Sequence, residues 1–361
     1  MGNATLKVFG YGHDFGNSET CSVLKGHGVS QNRQIPSVFA PGTWREVETM
    51  AAAAGKSVYE YVQFGHYVLA YVNDRDQSTE KIIGQKVFDD GLHPSTTRAD
   101  RERYWRNNYS LETLMVGSAS ANSEAGYGLH VVTGLPVHLY TLEHTQAVID
   151  ALLGTYTFKL NNEPRTMVVK SVQVVAEGAG ALIAYATGAN QIEGVIDIGG
   201  QTTDLYGAQG QKPIRAMCKN LQKGVAAAAD LFNTKFAENH GRPLSLNICQ
   251  SLMRQHVAQD PYLEVRDAQR QLVQSADLST LMDYALDTVG QEIATFVAQA
   301  WADHMYDVSR ALIVGGGAYY FKRSIQARLP FAKSVPAPEM ANAEGYARLA
   351  EAIIQRKQAV S

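Results

Sequence analysis

The chain of 361 residues has only three cysteines, Cys21, Cys218 and Cys249. An odd number at such wide spacing fits neither a disulfide framework nor a zinc site, so a reduced, cytoplasmic protein is expected. No run of eighteen apolar residues occurs, and MGNATLKVFG has no cationic segment leading into an apolar core, so neither a membrane span nor a secretory leader is expected. Met1-Gly2 resembles the start of a myristoylation signal, but Leu6 stands where Ser or Thr is needed. Charge of one sign is also missing: 35 acids against 32 bases give a formal charge of -3 without a block of either sign. Direct binding to DNA or an anionic membrane is therefore not expected, and nucleic acid would be reached through a partner. The glycines at 10, 12 and 16 are one residue too widely spaced for a dinucleotide fingerprint, no helical pattern follows them, and no G-x-x-x-x-G-K-[ST] exists.

What is present is a chain long enough, at 45% hydrophobic residues, to divide its core between two domains. Short β-branched or aromatic runs alternate with amphipathic stretches, which predicts an α/β protein. LKVFGYG reads as a strand with SETCSVLK as its hairpin partner. VQFGHYVLAYV has strand composition around Gly65, residues 77–100 read as a polar surface excursion, and the following stretch has helical spacing through Tyr104, Leu111, Leu114 and Met115. Thr166 to Val175 reads as a strand, AEGAGALIAYATG as a helix stopped by Gly188, and VIDIGG with TTDLYGA as a hairpin. Leu278 to Met305 is the longest helical pattern, FAKSV a short strand, and ANAEGYARLAEAIIQRK a closing helix with positive charge in its last turn.

The chemistry concentrates in the glycine turns. In VIDIGGQTTD, Asp197 stands at the end of an apolar strand, two residues before a turn of glycines and small hydroxyl residues. Such a turn offers backbone N-H groups to a phosphate without Cβ obstruction. An acid beside bound phosphate requires a cation between them, and Mg²⁺, which tolerates one or two carboxylates and keeps several waters, satisfies that condition. GYGHDFGNSETC repeats the arrangement with Asp14 two residues before Gly16. Two acid-glycine hairpins about 180 residues apart suggest two halves, each contributing a phosphate loop to a shared cleft. Gly315 to Gly317 form a third turn between a strand and a helix. His13, beside Asp14, is expected to be an outward-facing structural residue.

These segments resemble the actin-like ATPase superfamily. GYGHDFGNSET is similar to its first phosphate motif, VIDIGGQTTDL to its second, ALIVGGGAYYF to its adenosine motif, and AEGAGALIAYATG and ANAEGYARLA to its two connecting helices, all in the expected order. TGLPVHLY, QIPSVFA and ANAEGYARLA look most like the ParM plasmid-segregation proteins and archaeal actin-like proteins. A chaperone of the superfamily would carry a substrate-binding region after the ATPase, so that branch is not expected.

The resemblance implies an actin-like (ribonuclease H-like) two-domain α/β fold with a nucleotide cleft between the domains. Domain I would take residues 1–176 and 339–361, a hinge helix 177–189, and domain II 190–338. It implies ATP as cofactor, with GTP left open, and Mg²⁺ held mostly through water by Asp14 and Asp197. Gly16, Asn17 and Ser18 with Gly199, Gly200, Gln201 and Thr202 would grip the phosphates, and Gly315, Gly316 and Gly317 would pass the adenosine. Glu177 would orient the attacking water, a positioning role that suits phosphoryl transfer. The lysine that several relatives place shortly after the first turn is missing here, so γ-phosphate contact there is expected to be weaker or differently supplied. Lys219 and Lys223 fall where relatives contact the base or ribose. The function implied is an ATPase that polymerises head to tail with itself and disassembles after hydrolysis, serving DNA segregation through an adaptor or a cytoskeleton. A monomeric small-molecule kinase on the same core is the alternative, but no further acid suits its base. A scaffold without turnover is a third reading, which Glu177 discriminates.

Overall fold

The structure is a computed structural model that describes residues 6–16, 19–62, 66–72, 78–84, 87, 95–96, 109–185, 187, 190–210 and 212–360. The chain divides into two compact units, Met1–Tyr185 with Asn342–Ser361, and Ala186–Ala341. Among the described residues no helix is long and apolar enough to cross a membrane.

The first unit is built on a ten-stranded sheet. Its strands are β1 (Lys7–Asp14), β2 (Glu19–Gly26), β3 (Val29–Pro36), β4 (Val38–Pro41), β5 (His66–Val72), β6 (Ser78–Gly84), β7 (Ser95–Thr96), β8 (Gly126–Leu135), β9 (Gly154–Leu160) and β10 (Glu163–Ala176). Their order is β3-β2-β1-β8-β10-β9-β5-β6-β4-β7. At its centre β1, β8 and β10 run parallel, while β2 returns antiparallel to β1 with Asp14 opposite Cys21.

Nearly all of β8 is buried, as expected of a parallel strand covered on both faces. On one face the helix Tyr109–Ser120 contributes Leu114, Met115, Val116 and Ala119 to a core with Tyr11, Leu24, Leu129 and Val131. On the other, Tyr346 and Ala350 of the closing helix Ala341–Val360 pack on Val132.

Strand alternation places Tyr11 and His13 on the face that meets the helix Tyr109–Ser120. His13 is fully buried, which corrects the expectation of an outward side chain. Its Nε2 lies 3.3 Å from Thr113 Oγ1, and its ring sits edge-on to Phe15 at 4.1 Å.

The second unit carries a six-stranded sheet of β11 (Ile192–Ile198), β12 (Thr203–Gln209), β13 (Lys212–Pro213), β14 (Lys219–Leu221), β15 (Val308–Val314) and β16 (Ala332–Ser334). The order is β13-β12-β11-β15-β16, with β14 also pairing β12. The strands β11, β15 and β16 are parallel. Phe232 and Phe236 of the helix Val225–His240, Met282, Val289, Ile293 and Val297 of the helix Ser275–Ala300, and Phe321 and Ile325 of the helix Ala318–Arg328 fill the core with the fully buried Trp301.

The longest helix starts earlier and ends earlier than the pattern Leu278 to Met305, because the chain tightens into a 3-10 turn at Ala302–His304. The helix read from AEGAGALIAYATG is a short one, Ala179–Tyr185, and Gly188, its expected stop, lies outside the described residues. Gly65, Tyr104 and most of residues 77–100 also lie outside them.

Candidate functional site

In the second unit the glycine turn Gly199–Thr202 joins β11 to β12, with Asp197 directly opposite Asp204. The Gly199 amide donates to the Thr202 carbonyl at 2.9 Å and closes the turn. The carbonyls of Gly199 and Gly200 accept from Val225 and Ala226, at 3.2 and 2.8 Å, and so satisfy the first amides of the helix Val225–His240. In a trans peptide the N-H points opposite to the C=O, so the amides of Gly200 and Gln201 are directed away from that helix. The result is a pair of amide directions on the side of the turn opposite the helix, an arrangement of the kind that holds phosphate oxygens. Gly224 makes the contact possible, since a Cβ there would collide with the Gly199 carbonyl.

The third glycine turn lies beside the second, because β11 and β15 are adjacent parallel strands with Asp197 level with Val314. Gly317 donates to the Ile198 carbonyl at 2.8 Å, and Gly315, at φ 78°, donates to the Pro338 carbonyl at 2.8 Å. A Cβ on Gly315 would stand 2.5 Å from Asp197 Oδ1, whereas one on Gly316 would meet nothing within 4 Å. Asp197, Gly199 to Thr202 and Gly315 to Gly317 therefore converge at the carboxyl ends of two parallel strands, where open α/β sheets hold ligands.

Asp204, which carries no motif signal of its own in the sequence, is a buried carboxylate that accepts from Asn220 Nδ2 at 2.9 Å. Its place opposite Asp197 is legible all the same, since a four-residue hairpin turn puts positions 197 and 204 in register. Lys223 pairs with Glu292 on the surface at 2.6 Å, and Lys219 lies on β14.

In the first unit Asp14 ends β1, and the Gly16 amide folds back to the Asp14 carbonyl at 3.1 Å. Ser37 Oγ donates to the Gly16 carbonyl and anchors the turn. Asn17 and Ser18 lie outside the described residues. Glu177 follows the last residue of β10, and its amide donates to the Leu135 carbonyl at the end of β8, at 2.8 Å. Asp14 and Glu177 thus stand at the same edge of the parallel centre, two strands apart, with Glu177 two residues beyond the position level with Asp14. Burial holds the His13 imidazole well below its ordinary pKa, at about 3, so it stays neutral and is not a proton carrier near pH 7.

Asp14 and Asp197 are hard oxygen donors, as Mg²⁺ requires. Among the described residues no group of three or more His, Cys, Asp or Glu forms a self-sufficient metal site. One or two carboxylates completed by phosphate and water still suit Mg²⁺.

Residues 12–180 match the family model described as the N-terminal domain of actin-like proteins, and residues 195–327 the C-terminal domain of the archaeal actin homologue MreB-like. The chain is an actin-like protein. The actin-like protein shares its fold with the ParM of a 15-stranded filament from Clostridium botulinum, at 17% identity over 96% of this chain and 100% of that one, TM-score 0.75. The archaeal actin homologue Ta0583 in complex with ADP matches at 19% identity over 95% and 99% of the two chains, TM-score 0.70. Alp7A matches at 15% identity over 98% of each, TM-score 0.71. No curated protein sequence matches the actin-like protein significantly.

Proposed function

We propose that this actin-like protein binds and hydrolyses a nucleoside triphosphate with Mg²⁺ and uses the cycle to assemble into and disassemble from filaments. The observation that carries the reading is the convergence in the second unit of two glycine turns and Asp197 on one strand edge. Amides of Gly200, Gln201 and the first turn would hold phosphate oxygens, and Gly315 to Gly317 would let the nucleoside pass. Asp14 and Asp197 would hold Mg²⁺ through water, and the bound ion would neutralise phosphate charge. Glu177 would orient the attacking water. These turns read phosphate rather than base, so ATP and GTP both fit them.

The ADP complex of Ta0583 and the ParM filament support nucleotide binding and self-assembly as properties of this fold. A head-to-tail contact that does not close into a ring gives a filament. DNA would be carried by a separate adaptor, in keeping with the balanced charge of the chain. The test is sedimentation and light scattering over a concentration series with Mg²⁺-ATP, Mg²⁺-GTP, Mg²⁺-ADP and no nucleotide. Assembly above a critical concentration with triphosphate, decaying as phosphate appears, is the expected result. A nucleotide-binding protein that stays monomeric at every concentration would overturn the filament and favour a small-molecule kinase.

A further inference from the structure

Beside the third glycine turn stands a side-chain pair outside the phosphate-binding parts. Tyr319, the second residue of the helix Ala318–Arg328, donates its hydroxyl to Glu339 Oε2 at 2.7 Å. Glu339 belongs to the 3-10 turn Pro338–Met340, whose first carbonyl accepts the Gly315 amide. Both side chains therefore spring from the backbone that frames Gly315 to Gly317, next to the open space over Gly316. Neither is needed for the core: Tyr319 is 43% exposed and Glu339 is half-buried.

The pair is chemically specific. Partial burial, with the hydrogen bond to Glu339 and its negative charge, pushes the Tyr319 phenol up to about 12. The phenol stays a donor and fixes the direction of the carboxylate. An ionised carboxylate only accepts. The bond from Tyr319 to Oε2 leaves acceptor capacity on both oxygens, and a carboxylate can accept two parallel N-H donors.

Guanine presents such donors, N1-H and the N2 amine, side by side on one edge. Adenine presents its N6 amine next to N1, an acceptor that would face a carboxylate oxygen. We propose that Glu339, oriented by Tyr319, reads the base of the bound nucleotide and selects guanine over adenine. The inference rests on the reading that Gly315 to Gly317 pass the nucleoside.

The test is titration calorimetry of the full chain with Mg²⁺ and non-hydrolysable analogues of GTP, ATP and ITP. The guanine analogue is expected to bind about tenfold more tightly than the adenine analogue, the scale of one good bidentate base contact. Inosine keeps N1-H and lacks the amine, so it should fall between them. Glu339→Gln keeps the shape of the side chain and should abolish the preference by weakening the guanine analogue, and Tyr319→Phe should reduce it. Equal affinity for guanine and adenine analogues in the native chain overturns base selection, leaving nucleotide binding intact. Equal weakening of both by Glu339→Gln also overturns it, because a contact to the ribose hydroxyls is then responsible. Failure of every analogue to bind overturns the nucleotide reading itself and this inference with it.

Discussion

The two acid-glycine turns look alike in sequence and are held differently. The turn after Asp197 has two carbonyls tied to the first amides of a sixteen-residue helix and a second glycine turn against its acid. In the turn after Asp14, the described residues show the Gly16 amide folded back to the Asp14 carbonyl and the Ser37 hydroxyl donating to the Gly16 carbonyl. Opposite Asp197 stands another carboxylate, Asp204; opposite Asp14 stands the thiol-bearing Cys21. One turn is built into its unit before any ligand arrives, and the other belongs to the unit that also carries Glu177. Under the proposed function, binding would fall mainly to the second unit and chemistry mainly to the first.

Substitutions can break that division. Glu177→Ala should have the largest effect, slowing phosphate release on the order of 100-fold or more, with triphosphate-dependent assembly kept or prolonged. Unchanged release in a phosphate-sensor assay would remove Glu177 from the chemistry. Asp197→Ala should weaken Mg²⁺-dependent nucleotide binding about 100-fold by titration. Cys21→Ser should change it little; a Cys21 effect as large as that of Asp197 would erase the contrast.

Gly224→Ala should destabilise the protein by about 1–3 kcal/mol, because the new methyl collides with backbone rather than with a movable side chain. It should also weaken phosphate binding. Native melting and native affinity in this variant would mean that the helix contact does not shape the turn.

The smallest effect concerns pH. His13 has a folded-state pKa near 3, below its ordinary value of 6.5, so well above pH 6.5 it is neutral in both states and contributes no pH dependence. As pH falls from 6.5 toward 3 the unfolded chain takes up a proton that the folded chain refuses, and stability falls by at most about 1.4 kcal/mol per unit. His130, lowered in pKa by its burial and then by the charges of Lys357 and Lys170, adds a slope of the same sign. Denaturant titrations from pH 7 to 4 should therefore show a shallower decline for His13→Asn than for the native chain, and parallel curves would refute the assignment.

Much of this was legible in the residues. The β1–β2 and β11–β12 hairpins, the glycine turns and the closing helix were all marked by short-range signals, and the actin-like resemblance followed from their order. Features made by distant contacts were not. Nearly all of β8, GYGLHVVTGL, is buried, so it lacks the two-residue alternation that marks a half-exposed strand. The orientation of His13 depends on a helix a hundred residues away. The Tyr319–Glu339 bond joins two elements that only the sheet brings together. Asp204 is the intermediate case: its place opposite Asp197 follows from the register of the hairpin, whereas its burial and its bond from Asn220 do not.

One further contact sets a limit on variation. Within the first unit the helices Ala179–Tyr185 and Ala341–Val360 approach so closely that a methyl group on Gly345 would collide with the backbone of Gly180, and one on Gly180 would meet the Asn342 carbonyl and the Tyr346 ring, while Asn342 Oδ1 accepts from the amides of Gly178 and Ala181 at 3.2 Å. Compensation needs a side chain that can shrink, and what stands over Gly345 is backbone alone. A lineage that drifts below 20% identity from its structural relatives can exchange most positions in pairs, but this crossing has no intermediate: it is kept whole or rebuilt at a different distance.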